Sequence, residues 1–321
     1  MQKIKIGISA CLLGEEVRYN GGHSLSRYIR DTLGQFFDYV PVCPEVECGL
    51  PIPREAMRLV GDPDKPRLIT SRSGVDMTDK MTDWTTARLE ALKNENLSGF
   101  IFKSKSPSSG AFRVKVYDSK GMPSRTGAGL FAGAFMRANP LIPVEEDGRL
   151  NDMKLRENFV ERVFVFERFR QEVSSAKHFK MGDLVSFHTR HKLQILAHDQ
   201  KLYREMGVLV AQGKNTVKQS GSPALLREYE LMLNKAMQRL TTPAKNTNVL
   251  QHITGYFKKQ LSSDEKQELV ERIEQYRLGH LPLIVPVTLL QHFIRKFNDG
   301  YLSSQTYLQP HPMELQLRNH S

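Results

Sequence analysis

Cysteine is scarce, with three residues in 321, and tryptophan occurs once. An odd count of three in a chain this long argues against a disulfide framework and leaves either buried thiols or metal ligands. No apolar run approaches the ~18 residues of a membrane-crossing helix. The opening MQKIKIGISAC lacks the charged end and apolar middle of a signal peptide, so the expected location is the cytoplasm. No internal repeat or low-complexity tract stands out. Hydrophobic residues at 40%, charged at 25% and aromatic at 8% exclude disorder, coiled coil and collagen for the chain as a whole.

What is present is unevenly distributed. Residues 1–150 hold 21 Lys and Arg against 18 Asp and Glu, a balance of +3, and residues 151–321 hold 25 against 17, a balance of +8. Nine of the ten histidines lie in the second half, and all three cysteines lie in the first. Two domains with different tasks, 1–150 and 151–321, are therefore expected. The basic excess suggests a polyanionic partner.

The first domain alternates strands with helices. KIKIGIS at residues 3–9 reads as a buried strand ending near Cys11, residues 39–42 as a second ending at Cys43, and residues 99–103 as a third running into Ser104-Lys105-Ser106-Pro107-Ser108-Ser109-Gly110. Residues 24–33, 82–93 and 130–137 have helical spacing, the second burying Trp84, Ala87 and Leu92, and residues 114–117 read as a further strand. This is an α/β pattern with a mostly parallel, Rossmann-like sheet, and such sheets bind ligands beyond the carboxyl ends of their strands. Pro140, Pro143 and the acidic stretch 145–148 mark its end. The second domain reads as all-α, with helices over 155–173, 185–210, 224–240, 249–260, 263–278 and 287–297, loops around Gly213 and over 219–223, and a capping pattern at Ser263-Asp264-Glu265-Lys266.

Cys11, Cys43 and Cys48 fall in loops that open at one edge of such a sheet, so three thiolates can converge there. Three soft ligands suit zinc or an iron-sulfur cluster, and spacing alone does not choose between them. A structural zinc would want a fourth ligand, for which this domain offers only His23.

The strings Ser9-Ala10-Cys11-Leu12-Leu13-Gly14, Val17-Arg18-Tyr19-Asn20-Gly21-Gly22, Cys43-Pro44-Glu45, Gly49-Leu50-Pro51-Ile52-Pro53-Arg54 and Lys105-Ser106-Pro107-Ser108 resemble those of the thiouracil desulfidase family over roughly the first 150 residues. The remainder is similar to the helical domain fused to it in tRNA 4-thiouridine desulfidases, with Phe187-His188-Thr189-Arg190-His191-Lys192 and Pro310-His311-Pro312-Met313-Glu314-Leu315 as its marks. The resemblance implies a 4Fe-4S cluster on three cysteines, hydrolysis of the C4 thiocarbonyl of 4-thiouridine to uridine and sulfide, and tRNA as partner. Alternatives are action on free thiouracil or 4-thiouridine monophosphate, and a zinc-bearing RNA-binding module without catalysis. Stand-alone members carry cysteine where this chain has Ser109, so Cys48 is expected to supply the third ligand.

Roles follow for the neighbouring residues. Glu45 is the expected proton acceptor and Ser106 a catalytic hydroxyl, with Ser108 assisting at the substrate. Lys103 and Lys105 are expected at a nucleotide phosphate, and Arg18, Tyr19 and Asn20 at a rim that stacks on a base. Arg54 and Arg58, four apart, would share a helix face toward a phosphate. In the second domain His188, His191 and His198 near one helix face are read as polar core residues or nucleic-acid contacts. The basic and aromatic runs at 256–259, 292–297 and Tyr301 serve bundle packing or RNA contact.

Overall fold

The computed structural model describes residues 3–174 and 179–319 and divides into two compact units, Met1–Asp152 and Met153–Ser321.

In the first unit, β1 (Ile4–Ser9) is flanked by β2 (Phe37–Val42) and by a later strand, Phe100–Phe102, which itself pairs with Val144–Glu146, all in parallel. Ile6, Ile8, Phe100, Ile101 and Phe102 are completely buried, as expected of a parallel sheet covered on both faces. The short helix α1 (Pro44–Glu47) follows β2 directly. Next come β3 (Met57–Val60) and β4 (Arg67–Thr70), an antiparallel pair, and then α2 (Thr78–Lys93). The strand Phe100–Phe102 is β5. It is followed by β6 (Val114–Tyr117), β7 (Pro123–Gly127), α3 (Leu130–Ala138) and β8 (Val144–Glu146).

The strands form two four-stranded sheets, ordered β2-β1-β5-β8 and β4-β3-β6-β7. The expected α/β domain with a parallel sheet is present, and Val114–Tyr117 joins β3 in a second sheet and not the parallel one. The acidic stretch 145–148 does not simply end the domain: Glu145 and Glu146 sit in β8, buried, with Glu146 accepting the backbone N–H of Ala111 at 2.8 Å and Phe112 at 3.0 Å. Of the helix expected over 24–33, only a single irregular turn, Tyr28–Thr32, and a 3-10 turn form. On α2 the buried positions are Met81, Thr85 and Leu92, and Ala87 faces solvent. Arg54 and Arg58 share no helix face, since Arg54 lies in a loop and Arg58 in β3.

The second unit is helical throughout its described residues: α4 (Met153–Phe169), α5 (Met181–His198), α6 (Gln200–Ser220), α7 (Ser222–Met237), α8 (Pro243–Thr254), α9 (Ser263–Arg277), α10 (Ile284–Phe297) and α11 (Gly300–Ser303). The single helix expected over 185–210 is two, broken at Asp199, whose extended backbone stops α5 while its carboxylate accepts the Lys201 and Leu202 N–H groups that open α6. Gly213 lies inside α6, not in a loop, and the absence of a side chain there admits the Met181 methyl group. The capping box on α9 is formed by Ser262 and Glu265, one residue before the expected start. No helix among the described residues is long and apolar enough to cross a membrane.

A charged network is buried in this unit. Arg318 donates to Glu157 at 3.2 Å, to Glu161 at 3.5 Å and to the Tyr307 carbonyl at 2.5 Å, while His198 and Gln194 bind Glu161 at 3.1 and 2.8 Å. Burial raises the Glu157 carboxyl. The same burial acts on Glu161, but His198 and Arg318 outweigh it and hold that carboxyl down. Removing one partner leaves the other charges buried and uncompensated. Arg318→Met should cost about 3–5 kcal/mol, read as a lowered urea midpoint of the full chain with the fold of the first unit as internal reference.

Candidate functional site

The parallel sheet reverses its strand order between β1 and β5, which is where such sheets bind ligands. The Ser9 hydroxyl at the end of β1 accepts the Lys103 N–H at the end of β5 (2.9 Å), fixing the two carboxyl ends together. Beyond them lies a cavity of about 390 Å³.

Three loops wall the cavity. The first is the 3-10 turn Ala10–Leu13, carrying Cys11 and closed by Gly14 at φ 102°, a left-handed backbone that favours glycine. The second is α1, with Cys43 at its N-cap and Glu45 in its first turn. The third is the serine loop 104–110, held by the start of α3: the Phe131 and Ala132 N–H groups bind the Ser108 carbonyl at 3.0 and 3.2 Å, and Leu130 binds Pro107 at 3.2 Å. This approach requires Gly129, where a Cβ would stand 2.4 Å from the Ser108 carbonyl carbon.

The cavity brings together Cys11, Cys43, Glu45, Ser106, Arg18, Tyr19, Arg54, Lys103 and Lys105 of the expected residues, and adds Ser109. Cys48, Ser108 and Asn20 do not line it. The Cys48 thiol is buried among Leu59, Leu68, Met81, Val114 and Val116 and donates to the Glu45 carbonyl at 3.2 Å. Asn20 closes its own turn by accepting the Gly22 N–H at 3.2 Å.

Glu45 is the hub of the polar contacts. Its carboxylate accepts the Ser108 hydroxyl at 2.6 Å, lies 3.6 Å from the Cys43 sulfur, and is 3.9 Å from the Arg54 guanidinium. Since the single Ser108 hydroxyl proton goes to Glu45, the 3.0 Å contact between Ser106 and Ser108 has Ser106 donating. Two hydroxyls thus link the cavity wall to the carboxylate. Arg54 is expected at a phosphate, but its side chain is 7% exposed and donates to the Val17 carbonyl at 2.8 Å, which makes it a brace for Glu45 and the first loop. Lys103 pairs with Asp147 at 2.8 Å.

Burial pushes the Cys11 thiol up to about 11, against the opposing charge of Lys103, and burial with the Glu45 carboxylate pushes Cys43 up to about 12. Both thiols need a cation to become thiolates. Among the described residues no three His, Cys, Asp or Glu side chains converge on a metal position. Cys11, Cys43 and Ser109 all line the cavity, and thiols are soft donors of the kind that hold iron or zinc.

An α/β sheet that gathers thiols, a carboxylate and hydroxyls at its carboxyl edge is a ligand-binding domain built around a soft-donor centre. Residues 6–147 match the family model described as 2-thiouracil desulfurase, and residues 192–312 match one described as a protein of unknown function, DUF1722. The chain belongs to the 2-thiouracil desulfurase family through its first unit. It is 33% identical over 138 residues to the uncharacterized protein YbgA of Escherichia coli (strain K12), covering 43% of this chain and 80% of that one. It is 32% identical over 151 residues to the uncharacterized protein YbbK of Bacillus subtilis (strain 168), covering 46% and 97%. Among solved structures, the 4Fe-4S-dependent thiouracil desulfidase TudS is 30% identical, with 48% of this chain and 98% of that chain covered and a TM-score of 0.39.

Gly129→Ala should force the serine loop away from α3 at a cost of about 1–3 kcal/mol. The measurement is the denaturant midpoint, and an unchanged midpoint would show that the loop is held by something other than this approach.

Proposed function

We propose that this chain hydrolyses the thiocarbonyl of a thiolated uracil, 4-thiouridine in tRNA, releasing sulfide and leaving the carbonyl. The observation that carries the reading is the meeting of Cys11, Cys43 and Glu45 in one cavity, within the stretch that matches the desulfurase family. In this proposal a 4Fe-4S cluster is held by Cys11 and Cys43, with the Ser109 oxygen at the third corner. When bound, the cluster supplies an open, soft, Lewis-acidic iron for thiocarbonyl sulfur, which ordinary uridine lacks.

The chain's own residues do the rest. Glu45 takes the proton of the attacking water, and Ser106, donating to Ser108 while its oxygen accepts the Ser108 and Ser109 N–H groups, holds the hydroxyl that fixes that carboxylate. Arg54 keeps the Glu45 carboxylate turned into the cavity. Arg18 lies over the Tyr19 ring at 5.8 Å, and Tyr19 is 45% exposed, so this pair forms a stacking surface at the mouth for a base drawn out of its helix. The charge excess of residues 151–321 supports a role for the helical unit in holding tRNA.

Metal analysis of anaerobically prepared protein tests the ligand set. Cys11→Ala and Cys43→Ala should each lose the iron, Cys48→Ala should keep it, and Ser109→Cys should hold it more firmly. Iron lost from Cys48→Ala but kept in Ser109→Ala would move the third corner to Cys48, and a colourless protein with one zinc would overturn the reading. Glu45→Gln should keep fold and iron while lowering turnover of a thiolated uracil by a factor on the order of 10² to 10⁴. Wild-type turnover in that variant would remove Glu45 from the chemistry.

A further inference from the structure

Beside the cavity, and sharing Met57, Ser104, Lys105 and Pro107 with it, runs an open groove of about 780 Å³. Its floor is the outer face of β3 and β6. Leu59, Val114 and Val116 point into the core, at 0%, 3% and 2% exposure, so the alternation of a strand turns Arg58, Lys115 and Tyr117 outward. The register pairs Leu59 with Val116 in parallel, which sets Arg58 beside Lys115. Like charges on neighbouring strands destabilise a sheet unless something neutralises them.

Nothing among the described residues does so. Arg58, Lys105, Arg113 and Lys115 are all exposed, and none of the four is in an ion pair among the described residues. The groove's single lining carboxylate is Glu146, buried and committed to the backbone of Ala111 and Phe112. Arg149, the fifth lining cation, is neutralised by Glu145 at 2.6 Å and lies over the Phe112 ring at 5.1 Å. The Arg58 guanidinium lies 5.6 Å from the Tyr117 ring centroid. Four unpaired cations interleaved with Tyr117 and Phe112 match a polynucleotide, whose phosphates meet the charges and whose bases stack on rings and guanidinium planes.

We propose that this groove binds the single-stranded RNA flanking the nucleotide whose base enters the cavity. The catalytic unit would then grip polynucleotide itself, apart from any contribution of the helical unit. The inference rests on the desulfidase reading for the occupant of the cavity, but the groove's affinity for RNA can be measured without turnover.

The test uses the full chain and the triple variant Arg58→Ala/Arg113→Ala/Lys115→Ala, with the single variant Lys115→Glu as a milder check on folding. The first probe is an unmodified single-stranded RNA oligonucleotide titrated at several salt concentrations. Loss of three phosphate contacts should weaken binding and flatten the slope of log affinity against log salt by about 2. The second compares turnover of free 4-thiouridine with that of an oligonucleotide carrying it. The triple variant should retain the first and lose roughly 10-fold or more in kcat/KM on the second, through KM. Unchanged RNA affinity and slope in both variants would overturn the proposal, as would equal binding of polyglutamate and RNA by the wild type. A wild type that turns over neither substrate while its RNA affinity still falls in the variants would count against the desulfidase reading and leave the groove standing.

Discussion

The 2.6 Å hydrogen bond from the Ser108 hydroxyl to Glu45 joins two segments 63 residues apart, and the site depends on it. It ties α1, which carries Cys43 and Glu45, to the loop that carries Ser106 and Ser109. Without it the carboxylate would keep only the 3.9 Å contact to Arg54 and its neighbouring Cys43 thiol. A charge-assisted bond of this kind is worth about twice a neutral one, and Ser108, its donor, is completely buried. The carboxylate therefore arrives in the cavity already aimed, and the Ser106 hydroxyl is oriented as a consequence.

Three strands of the parallel sheet were legible, β1 and β5 because a buried strand has to be apolar along its length, whereas β8 was hidden by its two glutamates. The second sheet was less so. β4 and β7 are short, and Pro123–Gly127 has no apolar alternation, so their strand character comes from pairing and not from local preference. Asp199 hid the break between α5 and α6 because the apolar spacing continues through it, and only its extended backbone and capping carboxylate reveal the stop. Burial of His188, His191 and His198 agrees with the polar-core reading: His188 bonds the Tyr229 hydroxyl and His191 the Phe187 carbonyl, and burial lowers the two rings to about 4 and about 3.

Within the site, nearness in sequence and nearness in space differ. Cys48 stands three residues from Glu45, and the α1 turn places its sulfur in the apolar cluster with Leu59 and Met81. Ser109 is distant in sequence from Cys11 and Cys43 and lines the same cavity through the backbone pairing of the serine loop with α3. Arg54 lines the cavity where a charge expected at a phosphate would stand, and its burial also sets the guanidinium 3.9 Å from the Glu45 carboxylate. The signal that would have separated them is which loop closes on which strand end, and that is a property of topology.

The serine loop is fastened to α3 through main-chain oxygens, those of Pro107 and Ser108. The Ser109 side chain makes none of those bonds, so it can be exchanged without unfastening the loop from α3. Hydroxyl and thiol occupy nearly the same space but differ in hardness and in how readily they ionise, so on the proposed ligand set a replacement at position 109 would change the softness of the site while the main-chain bonds that hold the loop stay as they are. The character of the side chain at 109 and the path of the loop that carries it are thus set by different atoms.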